Sequence, residues 1–224
     1  EGFDNSGDVT VTQIAGPVSG ETFPVGTTTV TFQVEDASGN TATCSLEVTV
    51  TDNEDPTITS IANITENVDV ASCSAIVEYE LPTATDNCEG VTVTLTEGLA
   101  SGSEFPLGVT EVTYTATDAA GNEVTTTFTV TVVDNIAPEI VCVNDIFDTV
   151  GENGTTTVVT YDAPVASDNC PYSVEQTAGL ASGAEFPLGT TTNTFVVTDA
   201  AGNTATCSFD VTITDDEDPT LECP

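Results

Sequence analysis

The sequence predicts an all-β chain of tandem β-sandwich domains arranged as an extended rod. Three observations predict it. Apolar residues alternate with threonine at period two over many short runs, and no segment carries a helical period. Clusters of Gly, Pro, Asn and Asp separate the runs. The whole pattern recurs after 81 or 82 residues, the mark of a repeat architecture.

Three landmarks set the register of the repeats. Asp36-Ala37-Ser38-Gly39-Asn40 recurs as Asp118-Ala119-Ala120-Gly121-Asn122 and as Asp199-Ala200-Ala201-Gly202-Asn203. Phe23-Pro24 recurs as Phe105-Pro106 and Phe186-Pro187. The linkers Asp55-Pro56, Ala137-Pro138 and Asp218-Pro219 keep the same spacing. The expected divisions are 1–54, the C-terminal part of one repeat; 55–135 and 136–217, two complete repeats; and 218–224, the start of another. The pattern opens in mid-repeat, so a window from a longer array is expected.

The second repeat gives the elements in order. Thr57–Ser60 opens it. Ala75, Val77, Tyr79 and Leu81 alternate with Ile76, Glu78 and Glu80, predicting one strand over 75–81. Val91, Val93 and Leu95 alternate with threonines in the next. A Gly-rich hairpin region follows. Val112, Tyr114 and Ala116 lead into the Asp118–Asn122 turn, and Val124, Phe128, Val130 and Val132 lead out of it. Such alternation predicts antiparallel strands with one wet face. About seven short strands per repeat, with an aromatic (Phe32, Tyr114, Phe195) four residues before each turn, predict an immunoglobulin-like sandwich. Domains of this size have small cores and call for extra staples.

The charge is extreme: 37 Asp and Glu against no Lys, Arg or His, for a formal net charge of −37. A hydrophobic content of 38% in clean alternation argues against disorder. Nucleic acid and anionic lipid are excluded as partners, because no side chain can neutralise a phosphate. No run suits direct membrane insertion. Without His, Ser-His-Asp and Cys-His chemistry are excluded, and no phosphate-binding loop is present. The same acids recur beside linkers in every repeat, which argues against a glycosidase pair. The chain therefore reads as not an enzyme.

Seven cysteines in a Thr-rich β chain suggest an oxidising, extracellular setting. Cys44 and Cys207 are equivalent late positions, replaced by Thr126 in the second repeat. Cys142 and Cys223 are equivalent early positions, replaced there by Ser60. The simplest pairing is Cys142–Cys207, with Cys44 and Cys223 bonded outside the sequence. Cys73 and Cys88 should then pair with each other, although a straight strand over 75–81 would hold them at opposite ends, beyond the ~7 Å Cα separation of a disulfide. Cys170 matches Cys88, but Thr155 stands at its partner's position, so Cys170 is either free or a competitor for Cys142.

The combination of Pro82-Thr83-Ala84-Thr85-Asp86-Asn87-Cys88, Gly102-Ser103-Glu104-Phe105-Pro106-Leu107-Gly108 and Tyr114–Asn122 resembles the hyalin repeat, or HYR domain, over essentially the whole sequence. The resemblance implies an immunoglobulin-like module of extracellular, often adhesive proteins. Near-identical acidic copies without Lys or Arg also resemble the repeat arrays of Bacteroidota surface adhesins, including gliding-motility adhesins exported by the type IX system. The second repeat departs from the family in lacking the outer cysteine pair, and the third lacks one inner cysteine.

In an immunoglobulin-like topology the loop between the second and third strands, the last hairpin turn and the incoming linker share one end. That gathers Asp52, Asn53, Glu54, Asp55, Asp86, Asn87, Asp118 and Asn122 at one junction, and Asp134, Asn135, Asp168, Asn169, Asp199 and Asn203 at the next. Oxygen ligands from three segments suit a hard cation such as Ca²⁺. A second reading of the same residues is that each Asp accepts N–H bonds within its own turn and each Gly-Asn supplies a left-handed conformation. Asn63-Ile64-Thr65 and Asn153-Gly154-Thr155 match N-glycosylation acceptors, and Asp148-Thr149-Val150 resembles a bacterial O-glycosylation pattern.

The expected function is a structural stalk of a cell-surface adhesin or filament, stiffened by calcium at its junctions and by disulfides. Its partners are neighbouring repeats of the same chain. Two other readings are a repeat surface that itself binds a glycan or protein, and the accessory repeats of a secreted enzyme.

Overall fold

The computed structural model describes residues 9–219 and 221, in which every regular element is a β-strand. The first repeat holds β1 (Val9–Ala15), β2 (Gly26–Asp36) and β3 (Thr41–Val50). The second holds β4 (Thr57–Ile58), β5 (Ile64–Asn67), β6 (Ser74–Val77), β7 (Ala84–Thr85), β8 (Thr92–Glu97), β9 (Ser103–Pro106), β10 (Gly108–Thr117) and β11 (Glu123–Val133). The third holds β12 (Glu139–Val141), β13 (Ile146–Thr149), β14 (Thr156–Val159), β15 (Val165–Ser167), β16 (Tyr172–Ala178), β17 (Ala184–Pro187), β18 (Gly189–Asp199) and β19 (Thr204–Thr214). The chain divides into two compact units. One comprises Glu1–Thr59, Pro82–Thr94 and Tyr114–Thr126, the other Ser60–Leu81, Leu95–Thr113 and Thr127–Pro224.

The third repeat lies wholly in the second unit and is an immunoglobulin-like β-sandwich. One layer is a four-stranded sheet in the order β13-β19-β18-β16. Its edge strand β13 runs parallel to β19, and the other pairs are antiparallel. The opposite layer is made of two short antiparallel pairs, β12-β15 and β14-β17. Between the layers pack Val159, Phe186, Phe195, Phe209, Val211 and Ile213. Tyr161 sets its ring edge-on to Phe209, with centroids 5.0 Å apart. The second repeat has the matching sheet order β5-β11-β10-β8 with pairs β4-β7 and β6-β9. The first repeat's β1-β2-β3 sheet corresponds to β16-β18-β19. Leu46 occupies there the place of Phe209, and it is 49% exposed against 3% for Phe209.

Threonine fills the outward positions for a reason visible in the ladders. Cross-strand hydroxyl pairs join Thr113 to Thr127 at 3.0 Å, Thr190 to Thr212 at 3.1 Å and Thr194 to Ser208 at 3.0 Å. Each β-branched side chain suits the pleat and pairs with its neighbour, a contribution of about 0.2–1 kcal/mol.

Two elements differ from the sequence expectation. The strand expected over 75–81 ends at Val77. Beyond it the Tyr79 backbone is taken by a side chain: its N–H donates to Ser101 Oγ at 2.8 Å, and Ser101 Oγ donates back to the Tyr79 carbonyl at 2.8 Å. Tyr161 and Ser182 repeat this clasp. The Gly-rich region expected as a hairpin contains β9, whose Pro106 pairs opposite Ser74 at the strand's end.

Candidate functional site

The aspartate-glycine-asparagine turns are closed by their own donors. Asp118 Oδ1 accepts the amides of Ala120, Gly121 and Asn122 at 2.7–2.9 Å, and Oδ2 accepts Asn122 Nδ2 at 2.7 Å. Asp199 repeats this with Ala201 and Asn203. Gly121 and Gly202 both sit at φ +95°, a conformation that L side chains rarely adopt. Burial pushes the pKa of each aspartate up, but hydrogen bonds from the asparagine and the turn amides outweigh it and hold both carboxyls below their ordinary value. Both oxygens of Asp118 and of Asp199 thus accept hydrogen bonds within the turn, as the second reading of these residues expects.

Asparagine carries the turn to the linker. Asn122 Nδ2 also lies within reach of the carbonyls of Asp52 at 3.3 Å and Glu54 at 3.2 Å. Asn203 Nδ2 makes the same contacts with Asp134 O at 3.1 Å and Ile136 O at 3.3 Å. Through these nitrogens the asparagines hold the linker against the turn, while the oxygen through which a carboxamide would bind a cation is not engaged by those contacts.

The remaining predicted residues divide. Asp52 and Asp86 come together, with Cys88 Sγ, so that the three ligand atoms lie within 4.8 Å of one another. Asp134, Asp168 and Cys170 form the matching group in the second unit. Asp52 Oδ1 accepts the Glu54 amide, Asp86 Oδ2 the Cys88 amide, and Glu54 Oε2 accepts Asn87 Nδ2 at 2.8 Å. Asn53 turns away to Thr51 Oγ1, Asn135 donates to Asn67 Oδ1, and Asp55 is exposed.

The two groups differ in burial. Asp134 is only 5% exposed; its Oδ1 accepts the Ile136 amide, and its Oδ2 is buried without a partner. Asp168 Oδ2 accepts the Cys170 amide, and its Oδ1 is likewise buried and unpartnered, as is Asn169 Oδ1. Where the first junction has Glu54 to receive Asn87, the second has Ile136, and Asn169 Nδ2 turns instead to the Ser72 carbonyl at 3.2 Å.

The cysteines require a correction. Cys142–Cys207 is a disulfide within the third repeat, with Cα atoms 5.7 Å apart. The expected Cys73–Cys88 pair is not formed: Cys73 bonds to Cys170 of the next repeat, with Cα atoms 4.6 Å apart. The chain between Cys73 and Cys88 runs through β6 and β7, which pair with different strands, β9 and β4. With Cys73 bonded to Cys170, Cys88 is left without it as a partner. Cys170 is therefore neither free nor a competitor for Cys142. Cys44 and Cys88 are free thiols, and Cys223 lies outside the described residues. The Cys88 pKa is pushed up to about 11, first by its hydrogen bond to Asp52, then by burial and by the charges of Asp52, Asp86 and Asp118.

Comparison with known proteins adds lineage to this geometry. The HYR domain family matches residues 1–50, 51–132 and 133–213. Hyalin of Strongylocentrotus purpuratus is 39% identical over 219 residues, covering 94% of this chain and 18% of that protein. Serine-rich adhesin for platelets of Staphylococcus aureus (strain MRSA252) is 32% identical over 160 residues, covering 59% of this chain and 11% of the adhesin. Among solved structures, Drosophila N-cadherin EC1-3 is similar over 95% of this chain and 91% of that one, at 11% identity and a TM-score of 0.36. The chain thus spans a small part of the curated relatives it matches.

Proposed function

The chain belongs to the HYR domain family, and on that premise we propose that it is a structural stalk segment of an extracellular, cell-surface adhesion protein. Its repeats are joined into an extended array by disulfides and by Ca²⁺ held at the junctions. Its role is mechanical and not catalytic.

The observation that carries the calcium reading is that Asp134 and Asp168, whose ligand atoms come within 4.8 Å of one another, each leave a carboxylate oxygen buried and unpartnered, as does Asn169 its Oδ1. Buried polar atoms are normally satisfied, and each orphan costs about 1–3 kcal/mol. With no Lys, Arg or His in the sequence, no side-chain cation can serve them. An all-oxygen donor set fits a hard cation, and carbonyls and water would complete the 6–8 ligands that calcium takes. Cys170 Sγ, spent in its disulfide, is no thiolate ligand. Bound there, Ca²⁺ would cancel the repulsion between the linker aspartate and the loop aspartate. Asp52 and Asp86 form the weaker site, being half-exposed and sharing Asp52 with the Cys88 thiol.

Extracellular placement is supported by the two disulfides, which persist in oxidising compartments. An adhesive setting is supported by the adhesin relative. The acidic repeats without Lys or Arg favour, within this reading, a bacterial surface array of the gliding-motility type exported by the type IX system. A glycan or protein ligand would then be carried elsewhere in the protein.

The test is thermal melting and small-angle scattering of the 224-residue chain in Ca²⁺ and in EDTA at constant ionic strength. A hundredfold excess of Ca²⁺ over Kd should stabilise by about 2.7 kcal/mol, and the chain should lengthen. Asp134→Asn should remove most of the response, while exposed Asp216→Asn keeps it. Identical melting and dimensions in calcium and EDTA would overturn the calcium reading.

A further inference from the structure

The cysteines of this chain belong to two structural sorts. Cys142 and Cys207 close a bond within one repeat, whereas Cys73 and Cys170 join successive repeats across 97 residues of sequence. In the second sort, one position gives and one receives. The giving position is the entry to β6, where the Cys73 carbonyl accepts the Leu107 amide at 3.3 Å. Thr155 holds that same place in the third repeat, its carbonyl accepting the Leu188 amide at 3.2 Å.

The receiving position is built twice. Cys170 ends the Asp168-Asn169-Cys170 loop, with its amide on Asp168 Oδ2 at 2.8 Å and Asp134 of the linker beside its sulfur. Cys88 ends the Asp86-Asn87-Cys88 loop, with its amide on Asp86 Oδ2 at 2.9 Å and Asp52 of the linker beside its sulfur. The clamp behind each is the same, Asn203 on the Asp134 and Ile136 carbonyls and Asn122 on those of Asp52 and Glu54. Their sulfurs differ in state: Cys170 is 3% exposed beneath its disulfide, and Cys88 is a partly exposed free thiol.

We propose that Cys88 is the receiving half of a second inter-repeat disulfide. Its donor is a cysteine at the Cys73 position of another HYR repeat placed directly ahead of it in the array. Counted back by the 97-residue register of the existing bond, that donor position falls ahead of Glu1. The residue at the Cys73 or Thr155 position of each repeat then decides whether the junction after it is covalently closed. The second repeat closes its junction; the third, with Thr155, leaves its own open. Closure breaks two S–H bonds and forms one S–S bond. The two protons and two electrons pass to an external disulfide such as oxidised glutathione, which is released as two thiols. No cation is required, so this proposal stands apart from the calcium reading.

The test is the full chain with residues 55–135 duplicated in tandem, the first copy carrying Cys88→Ser to remove pairing within that copy. After oxidation with a glutathione couple, peptide mapping under non-reducing conditions should find the first copy's Cys73 bonded to the second copy's Cys88. Cys73–Cys170 and Cys142–Cys207 should persist as evidence of folding. Adding Cys73→Thr to the first copy should return the second copy's Cys88 to full alkylation. Alkylation of Cys88 to the same extent with and without that change would overturn the proposal. A second chain guards against misfolding of the first. In it residues 136–217 are duplicated and the first copy carries Thr155→Cys. The introduced thiol should bond to the second copy's Cys170, and two free thiols there would equally overturn it.

Discussion

Asp199 receives the Ala201 and Asn203 amides on one oxygen and the Asn203 carboxamide on the other, and Asp118 does the same with its own turn. Because the folded pKa lies below the ordinary value of 3.8, the stabilisation is complete above that value and is lost as pH falls through the folded pKa. The general charge acts the other way, since protonation relieves self-repulsion. The share belonging to the turn is therefore read as a difference. Between pH 5 and pH 2, wild type should lose melting temperature relative to Asp199→Asn, and a gap that stays constant over that range would contradict the assignment. Cys88 offers a second measurement at this scale. With its pKa near 11 against an ordinary 9.0, its thiolate is about a hundredfold scarcer, so alkylation by iodoacetamide at pH 8 should be about a hundredfold slower than for an unperturbed thiol. Asp52→Asn should remove most of that delay, as followed by mass spectrometry.

At the scale of elements, the last two strands of each repeat were legible in sequence. β10 and β11 alternate cleanly on either side of Asp118–Asn122, and β18 and β19 do so around Asp199–Asn203. Phe209, inward on β19, is fully surrounded by core, so Phe209→Ala should cost about 3–5 kcal/mol by chemical denaturation. The corresponding Leu46→Ala change, at a half-exposed position, should cost well under that. Strands β5 and β13 were not legible. Each is four residues long and lies parallel to a strand more than sixty residues later, so neither alternation nor a hairpin turn announces it. The end of β6 was misread because a serine hydroxyl twenty-two residues away takes the backbone groups of Tyr79, and period two cannot register that. The candidate site was legible as a gathering of segments and illegible in its assignments. Spacing brings linker, loop and turn together, but only hydrogen-bond bookkeeping separates Asp118, both of whose oxygens accept hydrogen bonds, from Asp134, whose Oδ2 accepts none. The cross-repeat disulfide was illegible for a related reason: Cys73 and Cys88 are neighbours in sequence, whereas the bond joins Cys73 to a cysteine 97 residues away.

At the scale of the whole molecule, 37 acidic side chains meet no basic one. Repulsion of this kind is screened over about 10 Å at 0.1 M salt. Raising NaCl from 20 to 500 mM (roughly 22 to 4 Å of screening length) should therefore raise the melting temperature steadily. Any further gain from millimolar Ca²⁺ at fixed ionic strength would report site binding, and a melting temperature indifferent to NaCl would show that the surface charge is already compensated.

The Cys73–Cys170 bond bears on how such a chain would take a pull. Tension entering at the N-terminus travels along the backbone to Cys73, crosses the sulfur bridge, and resumes at Cys170. The intervening stretch, 97 residues in sequence separation, is out of the line of force, including the acidic linker at Asp134–Pro138. At about 3.4 Å per residue, roughly 330 Å of contour is withheld from extension until the bridge is reduced. The Asp134 linker is thus out of reach of a stretching force while the Asp52 linker, ahead of Cys73, stays in its line, and a thiol reductant would act on this chain as a release for stored length.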